Sequence, residues 1–189
     1  QEEVTMSEDL MQTSSHFILG EMEAALSTID PQALEEAVTS ILSARTVFIY
    51  GVGRSGLIGQ AFAVRLVQLG IDVHFVGDMT TPIVSREDVV IIVSNTGETM
   101  SAVQTANIVR RVGAKVISIT GNPNSKLGHA SNIVLELQSS RDEQRKKYAP
   151  LGTIFEGAAL ILFDSMVSII MEKTGQNEAS LRRRHAIWV

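Results

Sequence analysis

Five short runs of Val and Ile, separated by amphipathic stretches, constrain this chain more than any other feature. The runs lie at 46–50, 73–76, 89–93, 115–120 and 133–137. A strand whose consecutive residues are nearly all branched and apolar is buried on both faces, as in parallel sheets covered by helices. The intervening stretches 57–69 and 100–112 have helical periodicity, and each is followed by a glycine suited to a helix end, Gly70 or Gly113. Parallel strands are joined by right-handed crossovers. The expected fold is therefore α/β: a three-layer α/β/α sandwich around a five-stranded parallel sheet of order 2-1-3-4-5.

The flanking segments read as helical. Leu10, Ile18, Met22 and Leu26 recur at helical spacing, and Asp30-Pro31 supplies an N-cap followed by proline at the first helical position. A polar loop over 139–152 carries Arg141, Arg145, Lys146 and Lys147. A long helix runs from Thr153 to about Gly175, then a short helix and tail over 176–189. The apolar stretch 158–171 is interrupted by Asp164, Ser165 and Ser168, which reads as a buried helix short of a bilayer span. One domain is expected over 1–189, with N-terminal helices at 1–43, an α/β core at 44–152 and the C-terminal helix and tail at 153–189.

Composition narrows the partners. The chain has no cysteine, which excludes disulfides and thiolate chemistry. A net charge of −5 gives no general attraction to nucleic acid or an anionic membrane. The opening Gln1-Glu2-Glu3 is acidic where a secretion signal is basic. A cytoplasmic protein without nucleic-acid or membrane partners is expected. Leu10, Met11, Phe17, Ile18 and Leu19 offer more apolar surface than one sheet face needs, so a homo-oligomer is expected too.

In an open parallel sheet, ligands bind beyond the carboxyl ends of the strands where strand order reverses. Three loops meet there. The first, Gly51-Val52-Gly53-Arg54-Ser55-Gly56, joins a strand to a helix whose free N–H groups favour an anion. It fits a dinucleotide fingerprint, with Asp78 following at about the right interval, or simply a tight turn. The second, Ser94-Asn95-Thr96-Gly97-Glu98-Thr99, sets three hydroxyls around a glycine at another helix start. A phosphate monoester, with about two negative charges and many acceptor sites, suits such donors; an ordinary N-cap is the plainer reading. A dinucleotide leaves this hydroxyl cluster unexplained. The third, Thr120-Gly121-Asn122-Pro123-Asn124-Ser125, reads as a polar turn.

Together the first two loops resemble the paired signature of the SIS (sugar isomerase) domain family. Three more segments resemble its 6-phospho-3-hexuloisomerases: Gly77-Asp78-Met79-Thr80-Thr81-Pro82, Pro150-Leu151-Gly152-Thr153-Ile154-Phe155-Glu156 and Arg184-His185-Ala186. Arabinose 5-phosphate isomerases are similar as well, but usually have Lys where Arg54 stands, and many carry a paired regulatory module. SIS domains also occur in regulators, which usually add a DNA-binding module; residues 1–43 lack an evident recognition helix.

The resemblance implies interconversion of a 3-hexulose 6-phosphate with fructose 6-phosphate, a step of formaldehyde assimilation by the ribulose monophosphate route. It implies phosphate binding through Gly53, Arg54, Ser55, Ser94, Thr96 and Thr99. It also implies a homotetramer built from dimers, with sites shared between subunits. The reaction needs a base for a C–H proton beside a carbonyl and a group that stabilises the enediolate oxygens. It needs neither metal nor redox cofactor, and none is expected; His16, His74, His129 and His185 are scattered. Glu156 is the candidate base, although Thr153-Ile154-Phe155-Glu156 also has capping-box spacing. His185 is the candidate second group, because an imidazole exchanges protons near neutral pH; a solvated basic tail is the alternative. Arg54 suits a sugar or phosphate oxygen, or a surface ion pair. Glu98 suits a substrate hydroxyl or only the helix start. His74, within an apolar strand, reads as a satisfied core residue.

Overall fold

The computed structural model describes residues 2–140 and 142–187. Arg141, one of the cations expected in the polar loop, lies outside the described residues. Two helices come first, α1 (Glu2–Leu26) and α2 (Pro31–Ser43). Asp30 caps α2, its carboxylate accepting from the Gln32 N–H at 3.1 Å.

The sheet consists of β1 (Val47–Gly51), β2 (Val73–Phe75), β3 (Val89–Val93), β4 (Lys115–Thr120) and β5 (Ile133–Glu136), ordered β2-β1-β3-β4-β5. Every pairing is parallel. α3 (Gly53–Gln68) connects β1 to β2, and α4 (Met100–Val112) connects β3 to β4. Order reverses between β1 and β3, so the loops that enter α3 and α4 are neighbours. Side chains alternate across the strands, as a period of two requires. Val47, Ile49, Ile91, Val93, Ile117 and Ile119 join one core with α2, α3 and the long helix α7 (Thr153–Thr174). Phe48, Val90, Ile92 and Val116 join the other, with Ala102, Ala106 and Val109 of α4. The result is three layers, and α1 lies against α7.

α7 is the spine of the larger core. By length and composition it is apolar enough to cross a membrane, more so than the sequence reading allowed. Ile154, Phe155, Ala158, Phe163 and Ile170 are nevertheless at most 1% exposed. Phe163 stacks on Phe62 of α3 with centroids 4.3 Å apart and planes 7° from parallel. A pair of this kind adds about 0.5–1.5 kcal/mol beyond its area burial. The apolarity of α7 thus belongs to the core.

Several local expectations change. α3 begins at Gly53, four residues before the apolar pattern becomes legible. Two four-residue helices were not expected: α5 (Lys126–His129), in a stretch assigned no element, and α6 (Arg145–Tyr148), within the segment read as a polar loop. His74 lies on the short edge strand rather than in the core; its side chain is 34% exposed and its Nε2 is 3.4 Å from Asp72 Oδ1. On α1, Phe17 and Ile18 pack on the core, whereas Leu10, Met11 and Leu19 stay exposed.

At the amino ends of the strands, Asp88 is 1% exposed and forks with Arg45 at 2.9 and 3.1 Å. Its carboxylate also accepts the Ser85 N–H at 2.6 Å. Burial pushes the Asp88 carboxyl up, but the Arg45 and Ser85 hydrogen bonds outweigh it and hold it below the usual range. A depressed folded value contributes stability above the unfolded value of about 3.9, and this is lost as pH falls through the folded value. Thermal melts between about pH 5 and pH 2 are therefore expected to drop more steeply for the wild type than for Asp88→Asn. Parallel curves would remove Asp88 from the acid response.

Candidate active site

Two helices start side by side beyond the ends of β1 and β3, and neither is capped by a side chain. α3 has Val52 at its N-cap, and α4 has Thr99, whose hydroxyl makes no capping bond. The orphan N–H groups of both helix starts are thus left for another acceptor. Between them lies a cavity of about 140 Å³ lined by Val52, Ser55, Val93, Ser94, Asn95, Thr96, Thr99 and Ala102. All four hydroxyl residues expected at a phosphate line this one cavity. Gly53, with φ of +58°, begins α3 beside it.

The strand-to-helix turn depends on close backbone approach. A Cβ on Gly56 would sit 2.5 Å from the carbonyl oxygen of Gly51, and backbone cannot yield there. In the second loop, Ser94 is buried and its Oγ accepts the Gly97 N–H at 3.2 Å. Ser94 Oγ lies 3.4 Å from Thr99 Oγ1, and Thr96 Oγ1 accepts the Glu98 N–H at 3.2 Å. The hydroxyls therefore shape the loop as well as face the cavity.

The third loop braces the second. Leu127 N–H donates to Gly97 O at 3.0 Å, and Thr120 Oγ1 donates to Asn95 O at 3.2 Å. Glu98 accepts from Lys126 N–H at 3.0 Å and pairs with Lys126 Nζ at 2.9 Å. The Lys126 bonds hold the Glu98 carboxyl below its usual range. Glu98 is thus used in joining two loops, a role the sequence reading did not assign. Asn95, whose side chain borders both the cavity and Gly121, was also missed. Its position inside the hydroxyl cluster is the signal that could have found it.

Glu156 does not cap its helix. The N-cap of α7 is Gly152, and Thr153 Oγ1 donates to Pro150 O at 2.6 Å. The Glu156 side chain, 11% exposed, instead pairs with Arg54 Nε, whose side chain is 71% exposed. A Cβ on Gly152 would lie 2.8 Å from Glu156 Oε1, so glycine leaves the carboxylate its space. Arg54 adjoins Ser55 in the first turn of α3, so this pairing ties Glu156 to the helix start that borders the hydroxyl cavity. Residues 102 apart in sequence are thereby joined.

His185 is not brought to this place within one chain. It follows α8 (Glu178–Arg182) and is exposed, with Nδ1 2.9 Å from Ala186 O. With Arg65, Gln68, Glu178, Leu181 and Arg182 it lines a cavity of about 410 Å³ at the other end of α3. Lys146 and Lys147 are exposed on α6. Among the described residues, no three His, Asp or Glu side chains gather closely enough to hold a metal ion.

The architecture and this site define a sugar-isomerase type of domain, and comparison with known proteins agrees. The SIS domain model matches residues 40–165. A 3-hexulose-6-phosphate isomerase of Bacillus subtilis is 32% identical, over 89% of this chain and 94% of its own. A 3-hexulose-6-phosphate isomerase of Methanocaldococcus jannaschii is 36% identical, over 80% of this chain and 82% of its own. A solved structure of a hypothetical protein from Methanococcus jannaschii, for which a function of 3-hexulose-6-phosphate isomerase was inferred, is similar at a TM-score of 0.81. It is 29% identical, with 90% of this chain and 98% of that chain covered. The chain belongs to the SIS domain family.

Proposed function

We propose that the chain interconverts a 3-hexulose 6-phosphate with fructose 6-phosphate, using Glu156 as the base. Its family and named relatives make it a sugar-phosphate isomerase; the particular sugar and the residue roles are the steps added here. The observation that carries the reading is the hydroxyl-lined cavity between two uncapped helix starts, one of which, through Arg54, pairs with Glu156.

The phosphate binds Ser55, Ser94, Thr96 and Thr99 and the free N–H groups near Gly53. Moving a carbonyl from C3 to C2 requires a proton to leave C2 and return to C3. One carboxylate can do both, and Glu156, a buried carboxylate paired with Arg54 of the α3 start, is the group assigned to this role. Arg54 steadies that carboxylate in the free enzyme and turns to the enediolate oxygens when substrate enters, where charge develops. His185 moves the proton between the two sugar oxygens, and it comes from a second copy. The functional form is accordingly a homo-oligomer, a tetramer built from dimers, with the N-terminal helices part of the same SIS unit. The cellular setting is the cytoplasm, and the route is formaldehyde assimilation.

The test is a panel of ketose and aldose phosphates incubated in D₂O. Fructose 6-phosphate carrying deuterium is the expected product from a 3-hexulose 6-phosphate. Turnover of arabinose 5-phosphate in its place would reassign the sugar. Binding with neither turnover nor C–H exchange would make the chain a sensor and overturn the proposal.

A further inference from the structure

The turn that leads into α7 places its residues against their conformational preferences. Thr153 N–H donates to Pro150 O at 3.3 Å, closing a turn over Leu151 and Gly152. Leu151 has φ of +58°, whereas Gly152 has φ of −87° and ψ of 10°. Positive φ at the first central residue and negative φ at the second is the pattern of a type II′ turn, which favours glycine first. Here the order is inverted. Every other positive φ among the described residues belongs to a glycine. An L side chain in that region is strained, because its Cβ crowds the backbone. Gly152, by contrast, has a conformation open to any residue.

Both departures point to the same neighbour. Gly152 is required for space, since a Cβ there would lie 2.8 Å from Glu156 Oε1. Leu151 gains no packing in return for its strain, being 94% exposed. A single exposed leucine is ordinary on a protein surface. A strained one, directly before the glycine that abuts a buried carboxylate, calls for a function. The turn is also firmly braced. Thr153 Oγ1 donates to Pro150 O at 2.6 Å, Arg145 Nη2 to Leu151 O at 3.4 Å and Arg145 Nη1 to Ser140 O at 2.7 Å. Upstream, Tyr148 packs on Phe17 of α1 with ring centroids 5.6 Å apart.

We infer that Leu151 is a substrate-contact residue that covers the reacting carbons, and that Gly152 is a positioning residue that keeps the Glu156 carboxylate aimed at them. This deepens, and rests on, the reading of Glu156 as the base. In that reaction the C2–H bond breaks and its proton goes to Glu156. The same proton forms the C3–H bond unless it first exchanges with water. An apolar side chain over the enediolate excludes that water and packs on the C–H faces of the sugar.

The test uses the full chain and a 3-hexulose 6-phosphate in D₂O, with product trapped before it can return. The wild type is expected to deliver part of its fructose 6-phosphate with the substrate proton at C3. Leu151→Gly and Leu151→Asn both suit positive φ, so their melting temperatures are expected to be no lower than that of the wild type. Their product is expected to carry more deuterium, with kcat/KM lowered about tenfold. Equal deuterium content in wild type and variants overturns the cover, and a melting temperature that falls along with activity makes the turn merely structural. Gly152→Ala is expected to keep the melting temperature and lose about 10²-fold in kcat by displacing the carboxylate, while inhibition by inorganic phosphate stays as in the wild type. Unchanged kcat there overturns the positioning role. A Glu156→Gln enzyme with full turnover sinks the functional reading itself. If Glu156→Gln is inactive while all three turn variants behave as wild type, that reading stands and only this inference falls.

Discussion

Glu156→Gln is expected to lower turnover about 10²–10⁴-fold, the usual cost of losing a general base, with little change in melting temperature. The second half of that expectation comes from the geometry. The Glu156 side chain makes no capping bond, so the amide removes no hydrogen bond that α7 needs at its start. What it loses is charge in the pairing with Arg54, and the Arg54 side chain is 71% exposed. An ion pair with one such arm contributes at most about 1 kcal/mol, which shifts the midpoint of a chain this size by about 2–4 °C. A structural role predicts the reverse pattern, with turnover kept and the midpoint lowered. Arg54→Gln is the companion: it frees the carboxylate without removing it, so turnover falls less. Near wild-type turnover in Glu156→Gln would sink the mechanism, though not membership of the family.

Most of the fold was legible because burial on two faces leaves a plain mark. Val89-Val90-Ile91-Ile92-Val93 can hardly be anything but a central strand, and its five residues are all buried. Once strands and helices alternate, the reversal point follows from topology, and the loops at 51–56 and 94–99 follow from that. What was not legible lies elsewhere. The start of α3 was missed because Gly53, Arg54 and Ser55 carry no side-chain cap and no apolar periodicity. His74 looks interior by its neighbours, but β2 is a three-residue edge strand, and sequence does not reveal which strand ends at the edge. The Arg54–Glu156 pairing depends on how α7 crosses α3. The capping-box spacing at Thr153 was a false lead, since the chain places Gly152, not Thr153, at the N-cap. The position of His185, at the far end of α3, required the three-dimensional path of the C-terminal segment.

Removing a single hydroxyl from the cavity is expected to weaken substrate binding by about 1.5–3 kcal/mol, the worth of one hydrogen bond to a charged group. That corresponds to a KM raised about ten- to 150-fold. The most direct variant is Thr99→Val. Its hydroxyl caps nothing on α4, and its neighbour in the loop is Ser94 Oγ at a long 3.4 Å. The loop should therefore survive the change, leaving loss of the ligand contact as the effect. Ser94→Ala removes a contact and also the acceptor for the Gly97 N–H, so it acts on affinity and on loop shape together. It is expected to exceed Thr99→Val in KM and to lower the melting temperature slightly. In both, kcat changes less than KM, because the phosphate is remote from the carbons that exchange a proton. Inorganic phosphate provides the control: it should inhibit the wild type competitively and inhibit Thr99→Val more weakly, in step with the rise in KM. If both variants keep the wild-type KM and the same phosphate inhibition, the phosphate is held elsewhere. Glu156 would then have to be placed against a different anchor before its role as base could stand.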